Sequence, residues 1–308
     1  MQINDSVLLP SEVAALRLRE LFASRGYNRY EMTKFEEYAL YAANREFLGG
    51  ADIVTFTDSN GRLLALRPDV TLSVAANADI ATTSRVYYHE NVYRRGGLAH
   101  EFRERAQCGA EIIGDVGVRE MSEVVALAWN ALEVLQFQAQ SDVLLDISHV
   151  GYVAGLLEKY APAPHIAARL NTLLSRKNAP ELTRFCRENA LPATLCDALT
   201  ALCAMYGELS EVRATLEKYA VTDETRAALD ELIAVTDGVK SLAPQAVLRI
   251  DFSLTQDMNY YSGIVFQGIA TGRAAPVMSG GRYDGLMHRL GKPCGAIGFA
   301  VYTDEVRI

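Results

Sequence analysis

The chain has 308 residues, of which half are hydrophobic and 22% are charged, the balance of a globular protein with a large core. A net charge of -8 lacks the broad positive field of a nucleic-acid binder, so neither tRNA nor DNA is an expected partner. No apolar run approaches the ~20 residues of a membrane span, and the N-terminus has no basic-then-apolar leader pattern. These features predict a soluble, cytoplasmic protein without a membrane partner.

The spacing of cysteine and histidine argues against a metal centre. The five cysteines are odd in number and contain no C-x-x-C pair, so neither a disulfide framework nor a thiolate zinc site is expected. The five histidines contain no H-x-x-x-H or H-E-x-x-H pair. The sequence also lacks the P-loop pattern G-x-x-x-x-G-K-[ST] and the nucleophile pattern G-x-S-x-G. We therefore predict neither a metal nor a cofactor.

The first predicted element is an amphipathic helix. Ser11 precedes the run EVAALRLRELFASRG, in which apolar residues recur at helical spacing from Val13 to Phe22. Gly26 follows at the position of a C-terminal cap. A strand over residues 27–35 is expected next.

The segment IVTFTDSNGRLLALRPDVT predicts a β-hairpin. Its strands are expected at 55–58 and 62–66, on either side of Asn60-Gly61, a pair that tolerates the positive φ angles of a type I′ turn. After Pro68, the run TLSVAANADI suits a short helix.

The next segment predicts a strand, a loop and a returning strand. SRVYYHENVYR is typical of a strand, RRGGLAHEFRERAQ is polar and glycine-bearing like a loop, and AQCGAEIIG is typical of a second strand. VREMSEVVALAWNALEVLQF then has apolar residues at clear helical spacing. A further strand is expected over residues 142–147.

The composition changes between about Gly151 and Pro244. Leucine and alanine recur there at helical period, with proline breaks, and no convincing strand pattern. Strand patterns return afterwards in VLRIDFS, NYYSGIVFQGIA, VMSGGRYDG and GAIGFAV. We therefore predict an α+β fold, in which residues 1–150 and 245–308 form one antiparallel sheet flanked by helices and residues 151–244 form an all-helical insertion.

Four polar residues could contact a small ligand. Asp69 and Thr71 follow the predicted hairpin, where a carboxylate can pair with an ammonium group, although a turn or helix cap explains them as well. Gln107 and Glu111 are four apart in a predicted strand and therefore share one face. An amide and a carboxylate on one face can recognise an imidazole or an amine, but an exposed sheet face is the alternative.

An arginine and two tyrosines complete the candidates. Arg94 opens a run of four arginines around a glycine pair, which could clamp a phosphate or could be a solvated basic loop. Tyr260 and Tyr261 could close a small-ligand pocket or simply pack in the core. Taken one by one, none of these residues identifies a function.

The order of these segments resembles the catalytic domain of histidyl-tRNA synthetase, which has a class II synthetase fold. TFTDSNGRLLALRPDVT is similar to its R-P-E-G-T segment, and VYYHENVYRRGGLAHEFRERAQCGAEIIG to its motif 2. TQDMNYYSGIVFQG is similar to R-G-L-D-Y-Y-T-G-T-V-F-E, and SGGRYDGLMHRLGKPCGAIGFAVYTDEV to G-G-R-Y-D-G-L and motif 3. Four ordered matches over nearly the whole chain make the resemblance specific.

The resemblance implies a pocket for histidine. Asp69 matches the glutamate that holds the ammonium group of the amino acid, and Arg94 matches the motif 2 arginine. The other positions that match the surroundings of the bound amino acid are Thr71, Gln107, Glu111 and Tyr261, with Tyr260 beside it.

The departures from the family imply that synthetase chemistry is absent. Glu305 stands where the motif 3 arginine grips the ATP phosphates, and Gln256 stands where an arginine assists activation of histidine. Losing a cation aimed at developing phosphate charge costs orders of magnitude in rate. No anticodon-binding domain follows motif 3 in this sequence. We therefore predict a protein that is not an enzyme and has no catalytic residues.

This pattern is similar to that of a group within the family, the regulatory subunits of ATP phosphoribosyltransferase. The resemblance implies assembly as dimers with the short-form catalytic subunit, typically in a hetero-octamer. It also implies activation of that subunit and histidine feedback at the first step of histidine biosynthesis. Two alternatives are an ATP-dependent ligase that activates an amino acid for a target other than tRNA, and a histidine sensor with another partner.

Overall fold

The computed structural model describes residues 7–48, 52–96, 101–135, 143–160, 162–257 and 260–306. Eight strands of this part form one sheet. In spatial order they are β1 (Asn28–Arg29), β5 (Ser84–Gly96), β6 (Glu101–Gly114), β11 (Gly295–Tyr302), β10 (Met278–Arg282), β9 (Ile264–Ala270), β7 (Val143–His149) and β8 (Leu248–Ile250). The central pairings are antiparallel, as predicted. The outermost pairs, β1 with β5 and β7 with β8, are parallel, which the sequence did not indicate.

A smaller antiparallel sheet consists of β2 (Phe35–Glu37), β4 (Leu63–Leu66) and β3 (Thr55–Thr57), in that spatial order. It contains the predicted hairpin, β3 to β4. The turn differs from the prediction, because Asn60 does not have a positive φ and only Gly61 does, at +79°. The Gly61 amide donates to the Asp58 carbonyl at 3.1 Å. The connection is therefore a three-residue loop that ends in a left-handed glycine rather than a type I′ turn.

The helices fall into two groups. Those that flank the sheets are α1 (Pro10–Ser24), α2 (Tyr38–Ala43), α3 (Thr71–Asn77), α4 (Val118–Val134) and α11 (Asp284–Arg289). Those in the central stretch are α5 (Val150–Tyr160), α6 (Pro164–Ser175), α7 (Ala179–Glu188), α8 (Ala193–Ala204), α9 (Leu209–Tyr219) and α10 (Asp223–Leu242). Short 3-10 helices lie at Arg45–Leu48, Phe252–Asp257 and Thr303–Glu305.

The N-terminal helix forms where it was expected, but Leu16 of the predicted apolar run is 45% exposed. Its stripe at Ala14, Leu18 and Phe22 is fully buried. It begins at Pro10, whose missing amide costs nothing in the first turn, and it ends before Gly26 at a φ of +80°. The strand expected over residues 27–35 is wrong in extent, because only the two-residue β1 and the start of β2 are extended there.

The larger of two hydrophobic clusters lies on one face of the eight-stranded sheet, and a smaller one packs α2, α3 and α11 against β5, β6 and β11. In the larger cluster, helix α4 packs against β6, β7, β9 and β11, and α10 packs against α4 and α5. The same cluster of buried apolar residues continues from the sheet into α6 to α9. The central stretch is helical as expected, with one isolated bridge from Gly207 to Ile250. Its division from the rest as a separate insertion stays a prediction.

The loop predicted at residues 94–107 is largely strand. β5 continues to Gly96 and β6 begins at Glu101, so that the two strands pair in register from Ser84↔Ile113 to Gly96↔Glu101. Local composition suggested a loop, but cross-strand pairing extends the ladder through polar residues. Within the described residues, no helix is both long and apolar enough to cross a membrane.

Candidate functional site

A cavity of about 340 Å³ lies on the sheet face opposite α4. The central strands supply its floor, because β6, β11 and β10 place Glu111, Gly298 and Gly281 side by side in one row. The volume is at the small end of the ~300–1,000 Å³ range of ligand pockets. It suits a ligand the size of an amino acid.

Glycine makes room for this cavity at two positions of the floor. A Cβ on Gly298 would lie 1.6 Å from Oε2 of Glu111, well inside any permitted contact. A Cβ on Gly281 would lie 2.6 Å from Cδ1 of the Tyr261 ring. The side chains of Glu111 and Tyr261 therefore occupy the space that any side chain at Gly298 or Gly281 would fill.

Glu111 is the buried polar centre of the cavity, with 1% of its surface exposed. The Thr71 hydroxyl donates to its Oε1 at 2.8 Å, and the Tyr283 hydroxyl donates to its Oε2 at 2.9 Å. Burial raises the pKa of Glu111 to about 8, with the charge of Asp69 adding to the rise and the two hydroxyl donors opposing it. At neutral pH, Glu111 is therefore mostly protonated. A ligand that donates an N–H or carries a positive charge would favour its ionised form.

Asp69 and Arg94 form an ion pair in the cavity wall. Nη2 of Arg94 lies 2.8 Å from Oδ2 of Asp69, and its Nε donates to the Pro68 carbonyl at 2.6 Å. The other Asp69 oxygen accepts from the Leu72 amide at 2.8 Å and so caps the start of α3. Both explanations that the sequence left open for Asp69 therefore have a structural basis: it is a cap, and it lies in the cavity.

Aromatic rings enclose one side of the cavity. Tyr260 packs edge-on against Tyr261, with ring centroids 4.8 Å apart, and against Phe47 at 6.0 Å. Phe47 belongs to the 3-10 turn Arg45–Leu48, which also lines the cavity. The Arg289 guanidinium lies over the Phe47 ring at 5.5 Å and pairs with Glu46. Helix α11 therefore contacts the 3-10 turn that encloses this side of the cavity.

All seven residues proposed from the sequence line this one cavity: Asp69, Thr71, Arg94, Gln107, Glu111, Tyr260 and Tyr261. They come from four segments of the chain between residues 69 and 261, and the fold brings them together. Sequence reasoning missed five polar lining residues, which are Glu46, Tyr88, Ser279, Tyr283 and Tyr302. Tyr283 lies in the glycine-rich GGRYDGL segment, whose pattern could have indicated it.

Arg67 is not part of the site, although it belongs to the segment that carries Asp69. It is fully buried, and its guanidinium pairs with Glu90 at 2.7 Å. The same group donates to the carbonyls of Thr33 and Asn91 at 2.8–3.0 Å. Since these contacts use its donors, Arg67 fixes the hairpin to β5.

The C-terminal segment brings a carboxylate next to β6. Oδ2 of Asp304 accepts from the Ala106 amide at 2.9 Å, directly before Gln107. Tyr302 pairs with Gln107 across β11 and β6, and its hydroxyl hydrogen-bonds Ser279. The side chains of Gln256 and Glu305, which carry the expected departures from synthetase chemistry, lie outside the described part of the chain.

The sheet topology, the β5–β6 hairpin and the amino-acid-sized polar cavity together define a class II synthetase-like protein. The sequence profile of the family described as Histidyl-tRNA synthetase matches residues 9–306. An ATP phosphoribosyltransferase regulatory subunit of Moorella thermoacetica is 34% identical, over 98% of this chain and 79% of its own length.

Two solved structures extend the comparison. One is an ATP phosphoribosyltransferase regulatory subunit/histidyl-tRNA synthetase from Bacillus halodurans, with a TM-score of 0.85 and 27% identity over 97% of this chain and 79% of the other. The other, described as an ATP phosphoribosyl transferase (HisG:HisZ) complex from Thermotoga maritima, has a TM-score of 0.73 over 96% and 98% of the two chains. At 18% identity it shows the fold alone. The chain belongs to the histidyl-tRNA synthetase family and, within it, to the ATP phosphoribosyltransferase regulatory subunits.

Proposed function

We propose that this chain is a cytoplasmic, non-catalytic regulatory subunit that assembles with the short-form catalytic subunit of ATP phosphoribosyltransferase. It activates that subunit and helps to make the first step of histidine biosynthesis sensitive to histidine. The observation that carries the proposal is the 34% identity to a regulatory subunit over 98% of the chain. The fold of the Thermotoga maritima complex is compatible with such an assembly. A hetero-octamer built on dimers, without tRNA, is the arrangement we propose.

The cavity is the proposed histidine site. An amino acid carries one ammonium group, one carboxylate and, in histidine, an imidazole with one or two N–H donors. Asp69 and Arg94 offer a carboxylate and a guanidinium 2.8 Å apart, so a zwitterion can replace their mutual contact with two new ones. Glu111 offers a buried acceptor between two hydroxyl groups. A polar ligand with donors at both ends therefore fits the cavity better than an apolar one.

The non-catalytic character is supported by a carboxylate on the C-terminal segment. The Ala106 amide fixes Asp304 in the turn that follows β11, and a carboxylate there opposes a phosphate bound near it. We propose that the departures at Gln256 and Glu305 remove the remaining positive charge that ATP would need. A ligase would show amino-acid-dependent exchange of pyrophosphate into ATP, and we expect none.

The function is tested by reconstitution with a short-form catalytic subunit from the same source. Formation of phosphoribosyl-ATP is followed with and without this chain, and with and without histidine. We expect this chain to stimulate the reaction and histidine to reduce the stimulated rate. Failure to form a complex and to stimulate would reject the regulatory function.

The histidine site is tested with Glu111→Ala, and with Glu123→Gln as the matched control. Glu123 is a less buried carboxylate on α4 that pairs with Arg85 at 2.8 Å and does not line the cavity. We expect at least a tenfold loss of histidine sensitivity in Glu111→Ala and none in the control. Undiminished inhibition of the Glu111→Ala assembly would move the histidine site elsewhere.

A further inference from the structure

Tyr261 lies directly on the backbone of β10. The ring occupies the space above Gly281, since a Cβ there would lie 2.6 Å from Cδ1 of the ring. The Ser262 amide, one residue further along, donates to the Arg282 carbonyl at 2.8 Å. A displacement of Tyr261 in the cavity therefore acts on the β10 backbone at Gly281 and Arg282.

Arg282 connects this part of β10 to two carboxylates outside the cavity. Its Nη1 lies 3.2 Å from Oε2 of Glu231, and its Nε lies 2.9 Å from Oδ2 of Asp284. The Asp284 amide donates to the Ser262 hydroxyl at 2.9 Å, which holds Asp284 next to the segment that carries Tyr261. All three charged side chains are at least three-quarters buried. Their contacts are consequently little screened by solvent.

Glu231 stands on α10, at the junction between the helical stretch and the sheet. Its Oε1 lies 2.9 Å from Nε2 of His149, at the end of β7. The Gly151 amide donates to Nδ1 of His149 at 3.1 Å, so we assign the imidazole proton to Nε2, which donates to Glu231. One carboxylate thus receives a donor from β7 and a donor from β10.

Glycine keeps this junction tight. A Cβ on Gly263 would lie 3.2 Å from Oε1 of Glu231 and 3.0 Å from Cδ of Arg282. The Gly263 carbonyl also accepts from the Val150 amide at 3.0 Å, at the start of α5. Tyr261 and Gly263 are two residues apart, so the cavity wall and the first turn of α5 share one short segment.

We propose that Glu231 couples occupancy of the cavity to the position of α10, through Tyr261, Gly281 and Arg282. The inference rests on the proposed function for the identity of the ligand, L-histidine. A ligand shifts α10 only by binding its two arrangements with different affinity. Glu231 supplies that difference, because its carboxylate joins α10 to the strand on which Tyr261 rests. Glu231 is a positioning residue, since it does not line the cavity.

The test compares the full chain with its Glu231→Gln variant by amide hydrogen exchange and by calorimetric titration with L-histidine. Saturating histidine should slow exchange in residues 223–242 of the wild type at least threefold. In Glu231→Gln the dissociation constant should stay within threefold while the slowing in α10 is lost. Glu217→Gln serves as the control, because Glu217 pairs with Arg213 on the exposed face of α9. If Glu231→Gln does not fold, Glu231→Asp is tested in its place. This variant keeps the negative charge but shortens the side chain by one methylene group, away from His149 and Arg282.

Retention of the full slowing in Glu231→Gln, or no slowing in the wild type that binds histidine, would overturn the coupling. If the wild type does not bind histidine, the proposed ligand is rejected. The coupling is then tested without a ligand, by combining Tyr261→Ala with Glu231→Gln. Tyr261→Ala should speed exchange in α10 at least threefold in the wild-type background and not in the Glu231→Gln background. Equal effects in both backgrounds would overturn the role of Glu231.

Discussion

Glu111 should make the stability of this protein fall as pH rises, and Glu111→Gln should remove that dependence. Burial raises the folded pKa of this carboxyl to about 8 from an ordinary value of 4.5. Between these values the folded chain holds a proton that the unfolded chain has released, so each rise in pH favours unfolding. The glutamine variant has nearly the same size and no proton to lose.

The magnitude follows from the two pKa values. From pH 5.5 to 7.5, Glu111 is ionised in the unfolded chain and mostly protonated in the folded one, so the slope approaches about -1.4 kcal/mol per pH unit. Across these two units the wild type should lose about 2.5 kcal/mol of unfolding free energy relative to Glu111→Gln. Differences between the proteins isolate this group from the rest of the titration.

Urea unfolding at several pH values measures this difference at one fixed protein concentration. Glu123→Gln is the control, because the hydrogen bond from Arg85 lowers the pKa of Glu123 against the opposing effect of burial. The contribution of Glu123 is complete above pH 4.5 and is lost only as pH falls further, so its difference from the wild type should be flat over this range. A flat difference for Glu111→Gln as well would refute the reasoning that Glu111 is protonated in the folded cavity.

Three further substitutions test packing and buried polar contacts, each by urea unfolding. Gly298→Ala places a Cβ 1.6 Å from the Glu111 carboxylate and should lower the free energy of unfolding by about 3 kcal/mol or more. It should also abolish histidine binding. In the control Gly285→Ala the new Cβ meets nothing within 4 Å, so the free energy of unfolding should not fall. Equal stability of these two variants would contradict the packing argument. Lys292→Met removes an ammonium group that donates to three carbonyls at the end of α3 at 2.7–2.8 Å, and should cost about 2 kcal/mol. Lys177→Met removes the ammonium group 2.6 Å from the buried Asp251 and should lower the free energy of unfolding by about 2 kcal/mol. This is less than for a fully buried pair, because Lys177 is 43% exposed. A loss below about 0.5 kcal/mol in either lysine variant would count against the importance of its contact.

Local patterns predicted the elements whose residues carry their own structural preference. The stripe of α1, the long apolar period of α4 and the glycine of the β3–β4 turn all act within a few residues. The hairpin arm of β5 and β6 was misread for the opposite reason. Its residues are polar and glycine-bearing, and only pairing with the neighbouring strand makes them extended.

The sequence by itself determined the family, the α+β class and the seven candidate residues, because four motifs follow one another in a specific order along the chain. The tertiary structure alone decided how these residues are arranged. Burial among β6, β10 and β11 raises the pKa of Glu111 to about 8, and the tertiary fold places Asp69 against Arg94. The same packing joins Tyr261 to Glu231 across a strand. Desolvation and through-space contacts depend on residues far apart in the chain, so no local pattern records them.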